Sequence, residues 1–237
     1  EGKYSRDTDI NPFSYALNTS RTLTAFDQNG NREYFTSNFA PFNILSELEN
    51  NTLDLNMIDF KVQGGLSYDI IPALKYNVLG SMRYAKTGQE HKVRENSNMA
   101  MAYRANGDSY IQDNNRFLYR NPDRPDDQPI VVLPYGGFYN TTDDFLKSYM
   151  VRNSLEYNKV FNNIHQINIY GLQEIRLANR QNKANVGYGY QFDKGGVPYV
   201  DPNIIKQAIE NNLPYYSMKN GYDRVAAFMA RGAYSYK

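Results

Sequence analysis

The feature that most constrains this chain is the alternation running through residues 57–86, "MIDFKVQGGLSYDIIPALKYNVLGSMRYAK". Ile58, Phe60, Val62, Leu66, Tyr68 and Ile70 fall on one face of an extended backbone, and Asp59, Lys61, Gln63, Ser67 and Asp69 on the other. Pro72 interrupts in a tight turn, where its missing N–H does no harm. Leu74, Tyr76, Val78, Met82 and Tyr84 then oppose Lys75, Asn77, Ser81 and Arg83, with Leu79 the one exception. The pattern predicts two long antiparallel strands joined by a short turn.

Three further segments follow the same rule. In 149–157, Tyr149, Val151, Leu155 and Tyr157 oppose Arg152, Ser154, Glu156 and Asn158. After a brief turn around "NKVFNN", Ile167, Ile169, Ile175 and Leu177 oppose Asn168, Tyr170, Glu174 and Arg176. In 222–237, Phe228, Ala230, Tyr234 and Tyr236 oppose Asp223, Arg231, Ser235 and Lys237, although Val225 and Met229 break the polar face and Arg224 the apolar one. A strand of about fourteen residues rises roughly 45 Å, and a tilt near 45° leaves about 32 Å of height, enough to cross a bilayer. A soluble sandwich alternates too, but its strands average only about 5–6 residues.

The connections alternate between short (71–73, 158–163) and long (88–147, 179–221), as in outer-membrane barrels with short periplasmic turns and long extracellular loops. The expected fold is therefore all-β: an antiparallel transmembrane β-barrel segment of about five long strands, with long extracellular loops carrying short helices and a hairpin. Strand pairs are expected at 55–87 and 148–178 and a fifth strand at 222–237, with extracellular loops at 1–54, 88–147 and 179–221. Asp59, Lys61, Arg83, Arg152, Glu174 and Arg176 then face a wet lumen, and strand-end tyrosines such as Tyr84, Tyr149, Tyr157 and Tyr236 form interfacial girdles.

The composition agrees with that expectation. Mean hydropathy is low, at −0.69, as suits strands that place only alternate residues in lipid. Net charge is +1 with scattered Lys and Arg, which argues against a nucleic-acid partner. No stretch approaches the roughly 18 consecutive apolar residues of a membrane helix. The absence of cysteine excludes disulfides, thiolate zinc sites and thiol nucleophiles.

The loops carry local structure signals. "RTLTAFDQNGNREYF" reads as a hairpin turning at Asn29-Gly30. "PFNILSELENN" predicts a short helix started by Asn43, with Leu45 and Leu48 packing inward. "DPNIIKQAIENNLP" predicts a helix capped by Asp201, with Pro202 at its first position, Ile204, Ile205, Ala208 and Ile209 on its apolar face, and Pro214 just beyond.

Nothing in the chain assembles a catalytic motif, so no enzyme activity, cofactor or metal is expected. His91 and His165 have no metal-ligand spacing. The acids of "NPDRPDDQP" miss the calcium-loop spacing, and "GYGYQFDKGG" lacks the third glycine of a dinucleotide fingerprint. A glycosidase pair remains open, because carboxylates are plentiful. Tyr188, Tyr190, Phe192 and Tyr135 are candidate substrate-binding rings, suited to stacking on sugars or side chains.

Several strings carry a family likeness. "NPFSYALNTSRT", "NFAPFNILSELENN", "DFKVQGGLSYDI", "SNMAMAYRA", "NNRFLYRNPDRPDDQPIVVLPYGGFY", "GYGYQFDKGGVPYVDP", "NNLPYYSM" and "RGAYSYK" resemble the β-barrel region of SusC/RagA-type TonB-dependent transporters over almost the whole chain. Where the family often carries an acid in "VLPEGG", this chain departs from it with Tyr135. The resemblance implies an outer-membrane barrel of Bacteroidetes, working with a SusD-like surface lipoprotein and energised through TonB, that imports oligosaccharides or oligopeptides. The quoted strings include no plug domain, so the expectation is an interior slice of the barrel. Five strands leave edges that are not viable in lipid without further pairing. The rival reading is a soluble all-β extracellular glycan-binding module, whose apolar faces at Ile58–Ile70 and Leu74–Tyr84 would pack against a second sheet.

Overall fold

The computed structural model describes residues 11–213 and 215–236. Five long strands dominate: β3 (Asn51–Ile71), β4 (Leu74–Val93), β5 (Gly137–Phe161), β6 (His165–Gln191) and β8 (Tyr216–Tyr236). With the two-residue β7 (Val197–Pro198) they form one sheet in the order β3-β4-β5-β6-β7, β8 also pairing with β6. A separate small hairpin joins β1 (Phe35–Ser37) to β2 (Ala40–Phe42). The helices are α1 (Pro12–Asn18), α2 (Ile44–Asn50), α3 (Asn98–Ala102), α4 (Ser109–Asn114) and α5 (Pro202–Glu210). The fold is all-β and mainly antiparallel, and no described helix is long and apolar enough to cross a membrane.

The long strands outrun the alternating stretches that announce them. β5 begins at Gly137 and β6 continues to Gln191, although 137–147 and 179–191 read as loop. Glycines hide the signal at these ends. A Cβ at Gly137 would lie 1.8 Å from the Val93 carbonyl oxygen, so the close approach of β4 and β5 there requires glycine.

Residues Glu1–Leu55, Gln89–Thr142 and Lys183–Ser217 make one compact unit. Its core brings together Val93, Met99, Phe138, Tyr188 and Ile204 from β4, α3, β5, β6 and α5, with Phe138 edge-on to Tyr103 at 5.0 Å. A smaller cluster seats Phe42 between Phe35 and Tyr15. Buried asparagines join the loop backbones. Asn43 caps α2 and donates to the carbonyls of Ala25 and Glu33, both at 2.8 Å. Asn115 donates to Ala102 and Ala105, and Asn98 to Ser37, Ala40 and Pro41. Each amide ties two or three loop carbonyls together. The helices expected after Asn43 and Asp201 are present with those caps, although Leu48 is exposed rather than inward. Pro214 lies outside the described residues, as does Lys237. At Asn29-Gly30 the chain makes a tight Asp27-centred turn, with Asp27 accepting from the N–H groups of Asn29 and Asn31 and one bridge between Phe26 and Arg32, instead of a full hairpin.

Residues Asn56–Gly88, Asp143–Asn182 and Met218–Lys237 make the second unit. Its connections are short, as expected. Pro72 and Ala73 join β3 to β4. Asn162 (φ 50°) and Asn163 (φ 59°) join β5 to β6, with Phe161 accepting from the Ile164 N–H at 3.1 Å, the signature of a type I′ turn. Cross-strand side-chain bonds show both the antiparallel sense and the faces. Asp59–Arg83, Ser67–Asn77, Asn77–Ser154, Arg152–Glu174, Asp144–Asn182 and Arg180–Asp223 lie on one face. Tyr76–Asn153, Asn153–Gln173, Lys86–Asp143, Gln181–Asn220 and His165–Tyr234 lie on the other. Residue parity therefore holds along the strands within this unit. Leu79, the exception on the polar face, lies over Gly65, where a Cβ would come within 3.2 Å of its Cδ1.

One buried acid ties the first loop to the second. Glu47 of α2 is 2% exposed and accepts the Asn98 N–H at 2.6 Å. Burial pushes its carboxyl from 4.5 up to about 7, against the opposing pull of that N–H. The folded value lies above the open-loop value, so local stability is greatest below pH 4.5 and falls as pH rises to about 7. Glu47→Gln keeps an acceptor for Asn98 without the charge. It is expected to abolish this slope and, above pH 7, to slow hydrogen exchange of the α3 amides by an amount on the order of 2–3 kcal/mol.

Candidate functional site

Asp59, Lys61, Arg83, Arg152, Glu174 and Arg176 share the polar face of the second unit. Arg83 Nε donates to Asp59 Oδ1 at 2.9 Å, with a second guanidinium bond to Oδ2. Arg152 places Nε (2.9 Å) and Nη2 (2.6 Å) on Glu174 Oε2. Lys61 and Arg176 are exposed and share the parity of these pairs. Beyond the residues singled out from the sequence, Arg180 pairs with Asp223, and Asn182 donates to Asp144 at 2.8 Å. Arg180 and Asn182 continue the even-numbered polar series of β6 past Ala178, the signal by which they are legible.

Two open grooves score this face. One, of about 520 Å³, is lined by Asp59, Arg83, Asp144, Arg180, Asn182 and Lys219 among others. The other, of about 490 Å³, lies toward the opposite end and is lined by Glu156, Asn158, Asn168, Tyr170 and Arg231 among others. Both present charges of both signs together with amides or hydroxyls. Such walls suit many weak polar contacts along an extended solute better than one tight pocket.

The aromatic candidates sit in the first unit and separate into three environments. Tyr188 is a core residue, 6.0 Å from Phe138, with its ring taken up by packing. Tyr190 stacks on Tyr139 at 5.0 Å and meets Phe192 edge-on at 4.7 Å, while the Arg94 guanidinium lies 5.3 Å from the centre of the Phe192 ring. Tyr135 is half-exposed and meets Tyr199 edge-on at 5.2 Å. Tyr139, Tyr199 and Arg94 have no local sequence signal, because only the tertiary fold brings them to these rings. The glycines of "GYGYQFDKGG" serve this packing: a Cβ on Gly189 (φ 64°) would lie 1.7 Å from the Tyr199 carbonyl oxygen.

The histidines stand apart. His91 Nε2 bonds Asn51 Oδ1 at 2.6 Å in the first unit, and His165 Nδ1 bonds the Tyr234 hydroxyl at 2.6 Å on the apolar face of the second. Among the described residues no three His, Cys, Asp or Glu side chains converge as a metal site. Of the acids of 123–127, Asp127 pairs with Arg124 and Asp123 with Lys206.

No protein-family model matches the chain, and no curated protein matches by sequence. Among solved structures, the RagAB peptide importer in its closed-closed state is similar at a TM-score of 0.60 and 13% identity, over 90% of this chain and 20% of that one. The chain thus spans about one fifth of the length of that structure's chain, and the likeness is one of fold.

Gly189→Ala would place a methyl group against the Tyr199 backbone at a left-handed φ. The N–H of Tyr199 donates to Gly189 O at 2.8 Å. Its hydrogen exchange is expected to accelerate by about a hundredfold or more, while amides of β3 and β4 keep wild-type protection.

Proposed function

We propose that this chain forms part of the barrel wall of a SusC/RagA-type TonB-dependent importer of the bacterial outer membrane. The observation that carries the proposal is that the described residues of the second unit form no apolar core. Of the buried apolar residues, Ala178 alone lies in it, while Ile58 (62%), Leu66 (75%) and Phe228 (74%) stand exposed on a continuous apolar face. A patch of that extent in water would be an aggregation site, whereas hydrocarbon is its natural cover. The soluble-module reading requires a second layer over the same face, and no described residue supplies one.

The opposite face then lines the lumen, and solute passes along it by exchanging contacts with the grooves at Asp59–Arg83 and Glu156–Arg231. The chain acts as a conduit and not as an enzyme. The fold-level likeness to a peptide importer and the mixed charges of the wall favour oligopeptides over oligosaccharides, because peptides carry matching ammonium, carboxylate and amide groups. A SusD-like surface lipoprotein would cover the loops, and TonB would supply the energy.

Two measurements test this. Cells lacking the protein should lose uptake of labelled oligopeptides, and undiminished uptake of both peptides and oligosaccharides would overturn the import reading. The native protein should also need detergent for extraction. Within it, Val62→Arg is expected to cost about 2–4 kcal/mol and to deplete the assembled barrel, as judged by its heat-modifiable band, while Gln63→Arg on the wet face leaves assembly intact. Equal tolerance of both would contradict the orientation.

A further inference from the structure

The two faces of the second unit differ in the sign of their charge as well as in polarity. The lumen-side face carries acids throughout its length: Asp59, Asp69, Asp144, Glu156, Glu174 and Asp223. On the apolar face the charged side chains are Lys86, Asp143, Lys147, Lys159 and Arg224. Asp143 alone is acidic there among the described residues, and it lies 3.5 Å from Lys86 Nζ. Parity anchored by the bonds Tyr76–Asn153, Lys86–Asp143, Asn179–Arg224 and Gln181–Asn220 secures these assignments.

Lys86, Lys147 and Arg224 gather toward one end of the unit, the end marked by the pairs Lys86–Asp143 and Gln181–Asn220 and opposite the turns at Pro72 and Asn162. Aromatic rings are interleaved with them. Lys86 Nζ lies 5.3 Å from the centre of the Phe145 ring, and the Arg224 guanidinium 5.9 Å from that of Tyr222, which is 65% exposed. Tyr149 is half-exposed nearby, and the amides of Asn179, Gln181 and Asn220 add donors. Simple snorkelling explains why long cations tolerate an interface, but it does not exclude free carboxylates from the same belt. An anionic layer beside the wall does exclude them.

We propose that this belt binds the phosphates of a phosphorylated glycolipid headgroup in the outer leaflet, with Lys86, Lys147 and Arg224 as the cationic contacts, and Tyr149, Tyr222 and the amides against the sugar. The proposal rests on the barrel reading above. It adds that the surrounding lipid is held by its headgroup charge and not by its acyl chains alone.

The test uses the full-length native protein, delipidated in a neutral detergent, with native mass spectrometry as readout and two probes, bisphosphorylated lipid A and its enzymatically dephosphorylated counterpart. The wild type is expected to retain the bisphosphorylated form roughly 10- to 100-fold better. The triple variant Lys86→Gln, Lys147→Gln, Arg224→Gln should lose that preference while still binding both lipids weakly, and Lys61→Gln with Arg176→Gln on the other face should keep it. Equal retention of the two probes by the wild type, or an undiminished preference in the triple variant, overturns the inference while leaving the barrel intact. A protein that is recovered without detergent and retains neither probe would instead overturn the barrel reading on which it rests.

Discussion

The structure depends on an imbalance between backbone and side-chain satisfaction in the second unit. Its strands pair their backbone groups along four interfaces, β3-β4, β4-β5, β5-β6 and β6-β8, so the polar main chain is largely consumed. The side chains on one face have no such closure: Phe60 and Ile169 remain more than half exposed. Such a face calls for a cover that neither hydrates nor hydrogen-bonds it, whether protein or hydrocarbon. The ion pairs Asp59–Arg83, Arg152–Glu174 and Arg180–Asp223 lie on the opposite face, while Lys86–Asp143 lies on the apolar face toward one end of the unit.

The first unit solves a different problem with different chemistry. Its loops are long and would lose much conformational entropy on ordering. Two devices offset this: the core around Phe138 and Tyr188, and buried amides that bond loop carbonyls. Arg104 works in the same way, donating to the carbonyls of Leu133, Glu95 and Gly136 while burial lowers its pKa. The recurrence of asparagine in the sequence thus has a structural origin, since Asn43, Asn98 and Asn115 each serve several backbone groups at once. Glu47 is the costly member of this network, because it is an acid in a place that favours its neutral form.

Much of this was legible in residue order wherever one physical rule acted locally. Period-two alternation located the five strands and sorted Asp59, Lys61, Arg83, Arg152, Glu174 and Arg176 onto one face. The caps at Asn43 and Asp201 announced α2 and α5 correctly. The misses share a cause. Strand ends at 137–147 and 179–191 looked like loop because glycines and core contacts replaced the alternating pattern there. Tyr188 looked like a free ring beside Tyr190 and Phe192, although Gly189 between them has a left-handed φ of 64° that breaks the alternation: Tyr188 turns into the core and Tyr190 onto Tyr139.

The sequence by itself determined the two-faced strands, their tight turns and the polarity of each wall, because side-chain direction in a strand follows from residue number alone. Only the tertiary structure decided which apolar residues are covered and which are left open. Alternation specifies that a face is greasy, but whether it packs on protein or stays bare depends on what the rest of the chain brings to it. In the first unit helices and loops arrive to bury Phe138, Val93 and Ile204; in the second nothing described covers Ile58, Leu66 or Phe228.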